Sequence, residues 1–137
     1  MRVLRVVAGL LQRGGALLVC QRRPDAAFPL LWEFPGGKVR PGETDEAALR
    51  RELREELGIA ARIGPLLYHT RHAYPGLYEV DLRFFAVLSF CGEPRNLAFA
   101  QIRWLPPAAL AALPFLAADA ELIALLQEGR LSLPPQA

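Results

Sequence analysis

The stretch from Gly36 to Ile59, GGKVRPGETDEAALRRELREELGI, restricts the possible folds of this chain more than any other. It spells one amphipathic helix with both ends marked. Thr44 or Asp45 can N-cap it. Gly58 suits the left-handed position after its last turn, and Ile59 can close a hydrophobic contact back onto it. At about 100° per residue, Leu49, Leu53 and Leu57 form one stripe, which must be buried. Glu52, Glu55 and Glu56 are separated from Glu52 by three and four residues, so they share a neighbouring face. The rest of the chain must cover the leucines and leave the glutamates accessible.

In isolation, RRELREEL reads as a salt-bridged surface helix, with Arg50, Arg51 and Arg54 pairing with the glutamates. Two features point elsewhere. Three glutamates sit in the C-terminal half, where the macrodipole disfavours negative charge by a few tenths of a kcal/mol each. Crowded carboxylates also raise one another's pKa. A divalent cation relieves both penalties, and Mg²⁺ takes carboxylate and water oxygens. The second feature is Gly36-Gly37 ahead of the helix, with Pro41-Gly42 tightening the loop between. Glycine there lets backbone approach a metal or phosphate closely.

The chain has 137 residues, 53% of them apolar, which fits one domain (1–137) with a real core and excludes global disorder. A net charge of +2 is too mild to argue for a nucleic acid polymer or an anionic membrane. No apolar segment approaches membrane-spanning length. The opening MRVLRVVAGLL is short, is interrupted by Arg5 and lacks a cleavage site, so it reads as a strand, not a signal peptide. A cytoplasmic setting is expected, as a monomer or homodimer. Cys20 and Cys91 belong to no CxxC pattern and read as two buried free thiols.

Val3 to Leu11 reads as a buried strand, Gly14-Gly15 as a hairpin turn and Ala16 to Gln21 as the returning strand. A long loop holds Arg22 to Gly37. Ile63 to Tyr74 reads as a strand that Gly64-Pro65 can interrupt at its start. Leu77 to Phe90 follows, alternating Tyr78, Val80, Leu82 and Phe84 against Glu79, Asp81 and Arg83. After a loop come a short strand at Gln101 to Leu105, an alanine-rich helix opened by Pro106-Pro107, and a last helix from about Asp119 to Gln127. Residues 129–137 read as a loose tail. This order predicts an α/β domain with a mixed sheet and helices packed against it.

Gly37, Glu43 and Arg51-Glu52-Leu53-Arg54-Glu55-Glu56-Leu57-Gly58-Ile59 match the Nudix box, GX5EX7REUXEEXGU with U aliphatic, at every fixed position. At average residue usage a chance match is on the order of one in 10⁹ per start position. Glu33-Phe34-Pro35-Gly36-Gly37-Lys38 also resembles the stretch leading into the box in MutT-like members. The resemblance covers nearly the whole chain and implies a Nudix-type α/β/α sandwich with its loop-helix-loop. It implies a phosphoanhydride hydrolase using Mg²⁺ or Mn²⁺, with a small nucleotide as substrate. Carried over, Glu52, Glu55 and Glu56 would hold the metal, joined by the Gly36 carbonyl. Glu43 would support the metal shell and Arg51 would orient the glutamates by pairing with Glu43. Glu52 is the candidate to take the proton of the attacking water.

Many members add a glutamate from a loop between the later strands. The position matching it by spacing is Ala98, which cannot bind metal; Glu79 or Glu93 are the acids that could replace it. Arg22 matches an arginine that contacts substrate in MutT-like enzymes, and Gly37 and Lys38 are counted with it. Phe34 stands as either a base-stacking ring or core. Asp119 aligns with an Asn or Asp that reads the base edge, and its plain alternative is the N-cap of the final helix. The resulting expectation is hydrolysis of a nucleoside triphosphate, an oxidised purine such as 8-oxo-dGTP or a cytidine nucleotide, to the monophosphate and pyrophosphate. The alternatives are hydrolysis of another nucleoside diphosphate conjugate such as ADP-ribose, and a non-catalytic nucleotide-binding module.

Overall fold

Val7 to Leu10 is apolar on both sides of the first strand, and both sides are covered in the computed structural model, which describes residues 1–136. This strand, β1 (Val3–Leu10), continues past Leu11 into β2 (Gln12–Arg13), turns at Gly14-Gly15 and returns as β3 (Ala16–Gln21). Both turn glycines have positive φ, as a tight hairpin requires. β4 (Trp32–Glu33) and β5 (Gly36–Lys38) lead into α1 (Asp45–Leu57). Then come β6 (Ala60–Tyr74), β7 (Tyr78–Cys91), β8 (Gln101–Leu105) and α2 (Ala120–Gln127). β5-β1-β7-β6 form a mixed sheet in which β1 and β7 run parallel and the other pairs antiparallel. β3 carries a second sheet, pairing with β2, β4 and β8.

Side-chain alternation along β1 splits the core in two. Val7 and Leu11 face α1, where they join Leu49, Leu53, Leu57, Ile59 and Phe85. Ala8 and Leu10 face α2, with Phe34, Phe84, Leu110 and Leu122. The expected α/β/α layering follows. Leu49, Leu53 and Leu57 have no solvent exposure, and each such leucine contributes about 1.5–3 kcal/mol. Thr44 is the N-cap of α1, its hydroxyl accepting from Ala47 N, and Gly58 is left-handed at the other end. Asp45 instead pairs with Arg5 and Arg83.

Several expectations change. Gly64-Pro65 does not interrupt β6; bulges between Arg62 and Tyr68 absorb the irregularity. The alanine-rich segment is a 3₁₀ helix, Pro107–Ala112, not an α-helix. Cys20 is buried and free, but Cys91 is exposed, because the end of β7 runs past the layer α1 covers. The tail lacks regular structure yet is not loose. Leu131 and Leu133 pack on the α2-side core, and Gln12 Nε2 donates to Pro134 O at 2.9 Å. Ala137, the last residue of that segment, lies outside the described residues. Among the described residues, no helix is long and apolar enough to cross a membrane.

Candidate active site

The leucine stripe fixes α1 on the sheet, and this places Glu56 in the lining of a cleft, with Glu52 behind Gly37 of the same wall and Glu55 half exposed beside them. Arg51 binds most of the acids here. Its Nε and Nη2 donate to Glu43 at 2.7 and 2.9 Å, and Nη2 also donates to Lys38 O at 3.1 Å. Nη1 reaches Glu52 at 2.8 Å and Glu55 at 3.5 Å. With a further bond from Arg40 N, Glu43 is held down at about 2 and stays charged. The pairing of Arg51 with Glu43 is as the sequence suggested.

Glu56 is placed differently. Burial, reinforced by Glu52 and Glu33, pushes its carboxyl up to about 9 in the metal-free site, against a hydrogen bond from Gly36 N at 3.1 Å. Burial also raises Glu52, opposed by Arg51. Gly37 leaves room for Glu52, and Gly36 leaves room for the backbone of β1. A Cβ on Gly37 would come within 2.5 Å of Glu52 Cδ, and one on Gly36 would strike the carbonyl of Val7. Among the described residues, no three acidic, histidine or cysteine side chains are already drawn into a cage. Arg51 holds Glu52, Gly36 holds Glu56, and Glu55 is half exposed. The donors nevertheless suit a hard divalent cation: all are oxygens, and burial raises Glu52 and Glu56, a penalty that a positive charge would offset.

The cleft continues as a cavity of about 300 Å³ whose far end is walled by Phe28, Tyr74, Tyr78, Leu116, Ala118 and Asp119. Asp119 is 3% exposed and its Oδ2 has no hydrogen-bond partner. Burial, with Glu33 nearby, lifts its carboxyl well above the usual range. It stands at the head of α2 but makes no capping bond, so the N-cap alternative is set aside. Tyr74 braces this end, its hydroxyl accepting from Ala118 N at 3.3 Å.

Other expected residues are placed as follows. Arg22 lines the cleft but is occupied, donating to Glu33 at 3.0 and 3.2 Å and to Ala27 O at 2.7 Å. Phe34 is 3% exposed, edge-on to Phe84 and tilted against Phe115, so it is core that also floors the cleft. Lys38 is exposed at the cleft edge. Neither substitute acid lines the cleft: Glu79 pairs with Arg71, and Glu93 with Arg13. Arg95 N and Leu97 N donate to Leu57 O and Glu56 O, pinning this loop to the end of α1. Ala98 then packs into the α1-side core. His69 binds Asp81 at 2.6 Å in a surface ladder of ion pairs, which agrees with a non-metal role.

Sequence reasoning missed Glu33 and Phe28 as cleft residues. Glu33 lies between Arg22 and the acids at both ends, and burial raises its carboxyl too. Phe28 takes a positive φ of 51° and sets its ring 4.7 Å from that of Tyr74. Opposite pointing of neighbours in a strand was the available signal for Glu33 against Phe34; no local signal marks Phe28.

Residues 1–126 match the NUDIX domain family model, and the chain belongs to that family. It is a Nudix hydrolase, and the family generally depends on divalent metal. Among its relatives, the CTP pyrophosphohydrolase of Escherichia coli K12 is 35% identical over 123 residues, covering 90% of each chain. The 8-oxo-dGTP diphosphatase of Haemophilus influenzae is 37% identical over 123 residues, covering 89% of this chain and 90% of its own. The solution structure of the Escherichia coli ORF135 protein is similar at a TM-score of 0.83 and 34% identity, over 95% of this chain and 92% of that one.

Proposed function

We propose that the chain hydrolyses a nucleoside triphosphate to the monophosphate and pyrophosphate, with Mg²⁺ or Mn²⁺, and that its substrate is an oxidised purine nucleotide such as 8-oxo-dGTP or a cytidine nucleotide. One observation carries this reading. A single cleft joins Glu56 of α1, with Glu52 behind its Gly37 wall, to an aromatic-walled end closed by Asp119, whose Oδ2 has no hydrogen-bond partner among the described residues. Burial favours the protonated form of Asp119, which offers one donor and one acceptor in a fixed direction. That matches a base edge bearing the complementary pair, such as N3 and the N4 amine of cytosine, or O6 and N1–H of an oxidised guanine.

Glu52, Glu55 and Glu56, with the Gly36 carbonyl, are the groups that would hold the cation. When bound, it supplies charge neutralisation at the non-bridging phosphate oxygens and a site for the attacking water. Arg51 keeps Glu52 and Glu43 in fixed positions, so the carboxylates need not reorganise. Glu52 would accept the proton of the water: Arg51 holds it against Gly37 at the cleft wall, no acid stands at Ala98, and Glu79 and Glu93 are paired with Arg71 and Arg13 elsewhere. Phe28 and Tyr74 form the wall on which a base can stack.

A panel of nucleotides with Mg²⁺, scored separately for pyrophosphate and phosphate, tests this. Pyrophosphate release from 8-oxo-dGTP or a cytidine triphosphate supports it. Turnover only of ADP-ribose-type conjugates, or none at all, overturns it.

A further inference from the structure

A polyphosphate needs cations, and most arginines near this cleft are already occupied. Arg51 spends its bonds on Glu43, Glu52, Glu55 and Lys38 O. Arg22 is held by Glu33 and Ala27 O, and Arg5 by Asp45 at 2.7 Å. Arg2 and Lys38 make no ion pair among the described residues, and Arg40 has only a loose one, 3.9 Å from Glu55. These three cations are not scattered. They surround one surface depression of about 420 Å³, floored by Leu4 and Val39 and bounded by the Arg40-to-Glu43 loop.

Position decides what this depression can hold. Lys38 and Leu4 line both it and the nucleotide cleft, so the two spaces adjoin at these residues. The cleft runs from Asp119 past Gly36 and Gly37 to Lys38, and the depression begins where that path reaches the surface. Glu43, the acid on its rim, is already neutralised by Arg51. Pairing of β1 with β5, and Val39 N donating to Arg5 O, hold the two sides of the depression together.

We propose that Arg2 and Arg40, with Lys38, form a distal subsite that takes the terminal phosphate of a triphosphate and then holds the departing pyrophosphate by that phosphate. This rests on the triphosphatase reading above and deepens it. The subsite makes the enzyme prefer triphosphates over diphosphates, because only a triphosphate extends far enough to meet both arginines. Both side chains are exposed, so the interaction weakens with added salt.

The test compares wild type with Arg2→Gln, Arg40→Gln and the double variant. Binding of inorganic tripolyphosphate without metal should weaken about tenfold in the double variant, the size of one charge-assisted contact. KM for the nucleoside triphosphate should rise by a similar factor, while kcat, the Mg²⁺ concentration for half-maximal rate and turnover of the nucleoside diphosphate stay as in wild type. Unchanged tripolyphosphate binding overturns the subsite. So does an equal loss on triphosphate and diphosphate, or a shifted Mg²⁺ requirement, which would make Arg40 a support for the box acids. A wild-type protein that binds tripolyphosphate through these arginines but releases no pyrophosphate from any nucleotide would retain the subsite and overturn the triphosphatase reading.

Discussion

The two ends of the cleft use the same functional group in opposite ways. At the α1 end, Arg51 gathers acids beside solvent, and Glu43 is kept ionised by bonds from Arg51 and Arg40 N. At the α2 end, no cation among the described residues pairs with Asp119, and burial raises its carboxyl well above the usual range. Glu33 lies between, buried yet paired with Arg22. The contrast shows that a carboxylate's job here is set by what surrounds it. Under the proposed function, Glu43 stays charged beside the acids that would meet a cation, burial raises Glu52 and Glu56 until one arrives, and Asp119, raised with no such partner, would face the base edge.

The largest effect should come from breaking the charged end. Glu52→Gln should lower kcat by about 10³-fold, within the range for loss of a general base, with the melting temperature nearly unchanged. Retained wild-type turnover would sink the assignment of Glu52. Arg51→Ala should cost about 10–100-fold and raise the metal concentration for half-maximal rate, since Glu43 and Glu52 lose their orientation. A fall in rate with unchanged metal titration would show that Arg51 acts another way.

The neutral end predicts a pH effect. The folded protein keeps a proton on Asp119 above the pH, about 4, at which the unfolded chain loses it. The native state therefore binds more protons than the unfolded state, and this residue's contribution to stability falls as pH rises from about 4 towards the folded pKa. Asp119→Asn does not titrate. Its Tm should exceed that of wild type by a few degrees at pH 8, and the gap should close near pH 4. A pH-independent gap would remove the protonated-acid reading. The same variant should reorder the preference among bases while leaving metal dependence alone. The smallest effect is expected at the loop acid: Glu93→Gln should leave kcat and KM as in wild type, because Glu93 pairs with Arg13 away from the cleft. A loss of rate there would reopen the identity of the base.

The charged end was the more legible in sequence. Caps, leucine stripe and glutamate register depend on spacing within one helix, and Thr44, Leu53 and Glu56 took the places that spacing demands. The parallel β1–β7 partnership and the alternation of Val80, Leu82 and Phe84 also followed the expected α/β plan. The neutral end was harder because it is assembled from distant segments. Asp119 before an apolar run looks like a cap, and only tertiary packing shows that its carboxyl is turned inward and unpaired. Phe34 is core that also floors the cleft, and Glu33 lines the cleft beside Arg22, a placement fixed by packing against distant segments. The docking of Leu131 and Leu133 likewise depends on a groove made elsewhere in the chain.

The β1–β7 pairing also governs when the site can exist. Val3 must find Glu79, and Leu10 must find Ala86, before the central sheet is closed. Until then α1 has much of its leucine cover missing, and the cleft has neither its β7 floor nor its Asp119 wall. A chain emerging N-terminus first displays the whole glutamate helix well before it can build the cleft, so activity should switch on late and abruptly during synthesis.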